Sequence, residues 1–140
     1  MNRSQARVLV VDDEPTSSGA LCRALAELGC GEVEDVRHGA RALRELSERR
    51  YDLVITRWAL PIMGGRELLR AVRESPELRL LPVVVATPVS TRVVAEAADA
   101  GVSAFLPLPW QRATLEDLLR LFIGPPPRAL SLVPHEEHAP

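Results

Sequence analysis

Residues Tyr51–Gly65 read YDLVITRWALPIMGG, and the rest of the chain can be organised around this stretch. Leu53–Thr56 are three apolar residues and a threonine, a composition that predicts a buried β-strand. The proline and the two glycines of PIMGG then indicate a loop. Arg57 stands where the strand passes into that loop, so it is the first candidate functional residue.

Strands and helices are predicted to alternate on both sides of this stretch. The other strands are expected at Arg7–Val11, Glu32–Val36, Leu81–Ala86 and Ala104–Leu106. The helices are expected from Thr16 or Ser17 to about Leu28, after His38-Gly39, over Gly65–Glu74, over Thr91–Ala100 and over Ala113–Phe122. This alternation indicates an α/β fold in which βαβ units build a parallel sheet.

The composition is that of one globular domain. A chain of 140 residues with 46% apolar residues can form one core but is too short for two. A net charge of −2 and the lack of a basic run argue against a nucleic-acid partner. No apolar run reaches the roughly 18 residues of a membrane span, and the N-terminal residues do not have the pattern of a secretory signal. We therefore expect a cytoplasmic protein with no membrane partner.

Three further features of the sequence bear on its chemistry. Cys22 and Cys30 show neither metal-ligand spacing nor a redox pair, which favours two structural thiols. All 17 basic residues are arginine, so the chain contains no lysine. Residues 124–140 hold five of the twelve prolines. We interpret residues 1–123 as the domain and 124–140 as a flexible tail, whose small apolar group is Leu130, Leu132 and Val133.

Candidate site residues follow the carboxyl ends of the predicted strands, where open parallel sheets bind ligands. They are Asp12, Asp13 and Glu14 after the first strand, Arg57 after the third, Thr87 after the fourth, and Leu108-Pro109 after the fifth. Asp12 and Asp13 could be ligands of Mg²⁺, or they could place favourable negative charge at the N-terminus of the following helix. No glycine-rich phosphate loop follows the first strand, and Ser, Cys and His do not assemble at the strand ends, so an enzyme is not expected.

Residues 6–123 resemble a response-regulator receiver domain of the CheY-like, flavodoxin-like fold. The motifs that carry the resemblance are, in chain order, VLVVDDEP, HGARAL, DLVITRWALPIMGG, PVVVAT and AGVSAFLPLPW. The resemblance implies a five-stranded parallel sheet in the order 2-1-3-4-5 with helices on both faces.

The resemblance also implies roles for single residues. Asp13 would be the principal Mg²⁺ ligand, with Asp12 beside it, and Thr87 would contact a phosphoryl group. Phe105 would be the aromatic residue that moves with the signal. Two positions depart from the family. Arg57 stands where an aspartate accepts phosphate, and Leu108, before Pro109, stands where a lysine is found. The Leu108-Pro109 peptide bond is expected to be cis, as it usually is in the family.

These departures predict that the phosphorylation chemistry is lost. A guanidinium stays protonated and is no nucleophile. Asp52 begins the same strand roughly 16 Å away, so it cannot substitute. With one carboxylate fewer, Mg²⁺ binding at Asp12 and Asp13 should be weak or absent, and no cofactor is expected. We hypothesise that Arg57 instead pairs with Asp12 or Asp13, because guanidinium groups suit bidentate contact with a carboxylate.

The sequence thus predicts a phosphorylation-independent receiver that acts as a protein–protein interaction module in bacterial signalling, as a monomer or weak homodimer. Its partner surface would be the fourth helix, fifth strand and fifth helix, near Phe105 and Trp110. Trp58 and Trp110 flank the site and could anchor a partner, although packing within the domain is the commoner role. The alternatives are a sensor of a small anion at Arg57 and, less favoured, an enzyme of flavodoxin-like architecture.

Overall fold

The computed structural model describes residues 2–127. The predicted tail at 124–140 therefore falls mostly outside the described residues, together with its apolar group Leu130, Leu132 and Val133. None of the helices in the described part combines the length and the apolar character that a membrane crossing requires.

Five strands and five helices alternate along the chain. The strands are β1 (Arg7–Val11), β2 (Glu32–Val36), β3 (Leu53–Arg57), β4 (Val83–Pro88) and β5 (Ala104–Leu108). The helices are α1 (Pro15–Glu27), α2 (Gly39–Glu48), α3 (Gly65–Glu74), α4 (Thr91–Ala100) and α5 (Arg112–Ile123). A single 3-10 turn, Arg3–Gln5, precedes β1.

All neighbouring strands are parallel, and their order is β2-β1-β3-β4-β5, as predicted. Alternate residues of each strand point to opposite faces, so the sheet separates two cores. Val8 and Val10 of β1 pack with α1 and α5, while Leu9 and Val11 pack with α2 and α3. The predicted fold class, with helices on both faces of the sheet, is confirmed.

Several predicted element boundaries were wrong by one or two residues. β4 begins at Val83 rather than Leu81, because Pro82 precedes it and cannot donate to the ladder. β5 continues through Pro107 to Leu108, which an edge strand permits. The cap of α1 is Glu14, not Thr16 or Ser17. Its carboxylate accepts hydrogen bonds from both of those backbone N–H groups, at 3.1 and 2.8 Å.

The two cysteines are free thiols, as the sequence indicates. Cys22 is half-buried on α1, and Cys30 is buried in the following loop. Burial raises the pKa of both thiols, that of Cys30 to about 11. A thiol that stays protonated is a poor nucleophile, so neither cysteine is suited to catalysis in the folded domain.

Arg3 links the N-terminal segment to α1 and α5, and no sequence motif predicted this role. Its side chain is completely buried, and all five guanidinium hydrogens are donated. Two go to the carboxylate of Glu116 at 2.7 and 3.0 Å, two to the carbonyl of Gly124 and one to that of Leu28. Arg3 therefore joins the N-terminal segment to the C-terminal ends of α1 and α5.

Candidate functional site

Most of the predicted site residues meet at the carboxyl edge of the sheet. In the strand register Arg57 lies beside Ala86, the residue before Thr87, and Pro88 lies beside Leu108. Asp12 directly follows β1, which pairs with β3. One narrow cavity at this edge is lined by Asp12, Arg57, Leu108 and Trp110 together with Ser17. The parallel order of the strands thus brings together residues that are far apart in the sequence.

Asp12 is buried, with 3% of its surface exposed, and both of its carboxylate oxygens are engaged by α1. Oδ1 accepts a hydrogen bond from the backbone N–H of Glu14 at 3.0 Å, and Oδ2 accepts one from Ser17 Oγ at 2.6 Å. Asp13, by contrast, is exposed. Asp12 therefore contacts the N-terminus of α1, as one of the two roles expected for the acid pair requires, and its role as a Mg²⁺ ligand stays a prediction.

Arg57 contacts Asp12 through one long ion pair. Its Nη1 atom lies 3.8 Å from Oδ1 of Asp12, which is beyond hydrogen-bond distance. The arginine side chain is 29% exposed, against 4% for the aspartate. The hypothesised partner is therefore Asp12 rather than Asp13. The expected bidentate geometry is absent, because the aspartate oxygens already accept hydrogen bonds from α1.

The described residues offer few ligands for a Mg²⁺ ion at this edge. Residues 2–127 contain no group of three or more His, Cys, Asp or Glu side chains arranged to hold a metal. The one buried carboxylate, that of Asp12, is hydrogen-bonded through both oxygens and lies next to a fixed positive charge. Mg²⁺ requires hard oxygen ligands in a near-octahedral arrangement, and a guanidinium 3.8 Å from the first of them opposes it.

Thr87 lies on β4, and Phe105 lies on the neighbouring edge strand β5. Thr87 is buried, and its Oγ1 donates to the carbonyl of Pro88 at 3.1 Å. Phe105 lies beside Val85 in the register of β4 and β5 and is half-buried. The threonine hydroxyl therefore has its hydrogen-bond partner within its own strand.

The segment after β5 forms one wall of an open groove. The Leu108-Pro109 peptide bond is cis, as predicted. Leu108, Pro109 and Trp110 line a groove of about 560 Å³ with Ser17, Arg57 and Pro88. Trp110 also packs against the core under α1 and α5, whereas Trp58 packs against the core under α2 and α3. Both tryptophans are half-buried, so each has a packing role within the domain.

In the loop after β3, the backbone of Gly65 packs closely against the backbone of Arg57 and Trp58. The N–H of Gly65 donates to the carbonyl of Trp58 at 2.9 Å. A Cβ atom on Gly65 would lie 2.5 Å from the carbonyl oxygen of Arg57, so no larger residue fits there without a shift. In the same loop Ile62 has a φ of 67° and is 80% exposed, a conformation that is strained for a β-branched residue.

Two contacts of the site were not predicted from the sequence. The hydroxyl of Ser17 binds Asp12, although the sequence had suggested this serine only as a helix cap. The guanidinium of Arg37 donates to the carbonyl of Asp12 at 3.1 Å and pairs with Asp35 at 3.0 Å. The position of Arg37 could have suggested its contact with Asp12, because Arg37 directly follows β2 and Asp12 directly follows β1, the neighbouring strand.

Comparison with known proteins agrees with the fold. Residues 8–120 match the response regulator receiver domain family. The chain is 35% identical to the chemotaxis protein CheY-3 of Vibrio cholerae over 114 residues, which are 81% of this chain and 88% of that protein. It is 34% identical to the chemotaxis protein CheY of Pseudomonas aeruginosa over 112 residues, 79% of this chain and 90% of the relative. The chain belongs to the response regulator receiver domain family.

Solved receiver domains have the same fold. The receiver domain of a signal transduction histidine kinase from Syntrophus aciditrophicus superposes with a TM-score of 0.79 at 33% identity, covering 84% of this chain and 89% of that one. The receiver domain of a sensor histidine kinase from Pseudomonas aeruginosa, solved with magnesium in its active-site cleft, has a TM-score of 0.79 at 28% identity. That likeness covers 85% of this receiver and 98% of the other chain.

This receiver therefore belongs to a family of signalling proteins rather than classical enzymes. The hydroxyl of Ser17 lines the groove, but it donates to Asp12, and the groove lining contains no histidine to act as a base. The arrangement gives no support to the enzyme alternative.

Proposed function

We propose that this receiver works without phosphorylation, as a protein–protein interaction module of a bacterial two-component-type signalling pathway in the cytoplasm. The observation that carries the proposal is Arg57 at the carboxyl end of β3. An acyl phosphate can form only on a carboxylate, and a guanidinium remains protonated at any working pH.

The neighbouring carboxylates do not take over the role of an acceptor. Both oxygens of Asp12 hold the first turn of α1. Asp52 lies at the opposite end of β3, where its Oδ2 accepts a hydrogen bond from the backbone N–H of Arg7 at 2.9 Å. Leu108 offers no positive charge at the position where the family resemblance implies a lysine. The chain contains no lysine that could take this role from another position.

The small number of Mg²⁺ ligands at this edge supports the same proposal. Transfer of a phosphoryl group needs its negative charge to be neutralised, and metal ions commonly do this. Here Arg57 supplies a fixed positive charge in place of the metal and the lysine, close to Asp12. We therefore propose that the domain requires no metal cofactor for its function.

The proposed partner surface is the face formed by α4, β5 and α5. Five large apolar residues of the described chain are exposed, and three of them lie on or beside α4 and α5. These three are Val89, Val94 and Leu121, exposed by 86%, 41% and 71%. Phe105 is half-buried on the strand between the two helices. These exposed apolar side chains on and beside α4 and α5 support contact of these elements with a protein partner.

The test is the amide NMR spectrum of the chain before and after addition of Mg²⁺ and acetyl phosphate. We expect no change at Thr87, Phe105 or the residues of α4. A receiver that retains an aspartate at the end of its third strand is the parallel control, and its spectrum should change. A saturable change in the spectrum of this chain with Mg²⁺ alone would contradict metal independence. A change only with acetyl phosphate present would contradict phosphorylation independence.

A further inference from the structure

The guanidinium of Arg57 has hydrogen-bond donors that the folded chain does not use. Within residues 2–127 its polar contact is the single 3.8 Å approach to Asp12, which is no hydrogen bond. Over the same residues, no fully buried side-chain nitrogen or oxygen is left without a partner. The N–H groups of Arg57 must therefore reach open space. Arg3, in contrast, donates all five of its hydrogens to protein oxygens.

That open space is the groove of about 560 Å³ beside β5. Its walls are the side chains of Pro88, Leu108, Pro109 and Trp110, all of them apolar apart from the indole N–H. Arg57 is the one charged residue in its lining. The other polar residue is Ser17, whose hydroxyl hydrogen is already donated to Asp12. The groove thus offers one positive group with free donors, set among apolar surfaces.

The combination selects a particular ligand chemistry. A carboxylate suits the planar donors of a guanidinium, and an apolar body would cover Leu108 and Trp110. Inorganic phosphate would meet Arg57 but leave those walls exposed to water. Asp12 competes little for Arg57, because the oxygens of Asp12 are held by Glu14 and Ser17. A ligand could therefore bind Arg57 without breaking the contacts of α1.

We propose that this groove binds a small organic acid, with its carboxylate on Arg57 and its apolar body against Leu108 and Trp110. The binding site goes beyond the proposed interaction module and does not depend on how the domain meets its partner. It would make the receiver responsive to a metabolite-sized acid in place of a phosphoryl group.

The test uses phenylacetate as the probe, at constant ionic strength. Binding is followed by the fluorescence of Trp110 in a Trp58→Phe chain and by amide NMR of the full native chain. We expect saturable binding of phenylacetate with chemical-shift changes at Leu108 and Trp110. Phenylacetamide lacks the charge, and acetate and inorganic phosphate lack the apolar body. Each of these three should bind about tenfold more weakly or not at all.

Variants assign the binding to the groove. Arg57→Gln should weaken phenylacetate binding by about tenfold or more, since it removes the charge but keeps a side chain of similar length. Arg112→Gln, an exposed arginine paired with Glu27, is the matched control and should bind like the native chain. Thermal melts verify that both variants are folded. The proposal is overturned by equal responses to phenylacetate and phosphate, by undiminished affinity in Arg57→Gln, or by failure to saturate.

Discussion

Nη1 of Arg57 lies 3.8 Å from Oδ1 of Asp12, and that same oxygen accepts a hydrogen bond from the backbone N–H of Glu14 at 3.0 Å. The aspartate is therefore bound to α1 and only approached by the arginine. The pair fills the place where the family resemblance implies metal and phosphate chemistry. Because the guanidinium is partly exposed, its charge remains available to water and ligands.

The stability of the domain should depend more on Asp12 than on Arg57. Arg57→Ala removes a single long contact of a partly exposed side chain, so the free energy of unfolding should fall by less than about 1 kcal/mol. Asp12→Ala removes two hydrogen bonds to the first turn of α1 and should cost about 1–2 kcal/mol. Urea denaturation of both variants measures the difference. A larger loss for Arg57→Ala would show that the ion pair is stronger than its geometry indicates.

Substitution of Arg3 should destabilise the domain strongly, because its charged side chain is fully buried. Arg3→Ala leaves the carbonyls of Leu28 and Gly124 without their donor and leaves Glu116 with only its ion pair to Arg120, which should cost about 3–5 kcal/mol of unfolding free energy. Arg112→Ala, which breaks an exposed pair with Glu27, should cost below about 1 kcal/mol. Similar losses in the two variants would contradict the assigned role of Arg3.

The Arg3–Glu116 pair should also make stability depend on pH on the acid side. The hydrogen bond from Arg3 lowers the pKa of the Glu116 carboxyl below its ordinary value. A lowered folded-state pKa gives stability that is present above the unfolded-state pKa, about 4.3, and is lost as the pH falls through the folded value. Urea midpoints measured from pH 7 down to pH 3 should therefore fall less steeply for Glu116→Gln than for the native chain.

The matched control for this acid dependence is an Arg3→Met background. Without the guanidinium of Arg3, Glu116→Gln should change the slope of stability against pH less than it does in the native chain, because the ion pair of Glu116 with Arg120 at 2.8 Å remains. If the change in slope is undiminished in that background, Arg3 is not the main cause of the lowered pKa.

The sheet and its order could be predicted because the signal is local and repeated. Runs such as Leu53–Thr56 alternate with helices that carry apolar stripes, and the motifs of a known family supply the strand order. Strand ends were less accurate, because β4 and β5 start and stop by pairing with neighbours. Arg3 was missed because nothing in the local sequence shows that α5 and the end of α1 enclose it.

The candidate site could be located from the sequence but its contacts could not. That Asp12, Arg57, Thr87 and Leu108 lie at one edge follows from the parallel sheet alone. Which oxygen binds which donor depends on competition among nearby groups. Ser17 and the backbone of Glu14 are closer to Asp12 than Arg57 is, so the predicted bidentate pair does not form.

Restoring the aspartate alone should not restore phosphorylation. In Arg57→Asp the new carboxylate would stand beside Asp12, but Leu108 would still supply no positive charge. We expect little adduct with Mg²⁺ and acetyl phosphate for the single variant and a clear increase for Arg57→Asp with Leu108→Lys. Quantification of the phosphorylated fraction by mass spectrometry compares them. Efficient phosphorylation of the single variant would show that the rest of the site is still competent.

The measurement that tests the central claim most directly is the intact mass of the native chain after incubation with Mg²⁺ and acetyl phosphate. The doubly substituted Arg57→Asp, Leu108→Lys chain, treated in parallel, shows that the conditions support transfer. The account predicts that the native chain keeps its unmodified mass. A phosphoryl adduct mapped to an aspartate of the native chain would contradict it.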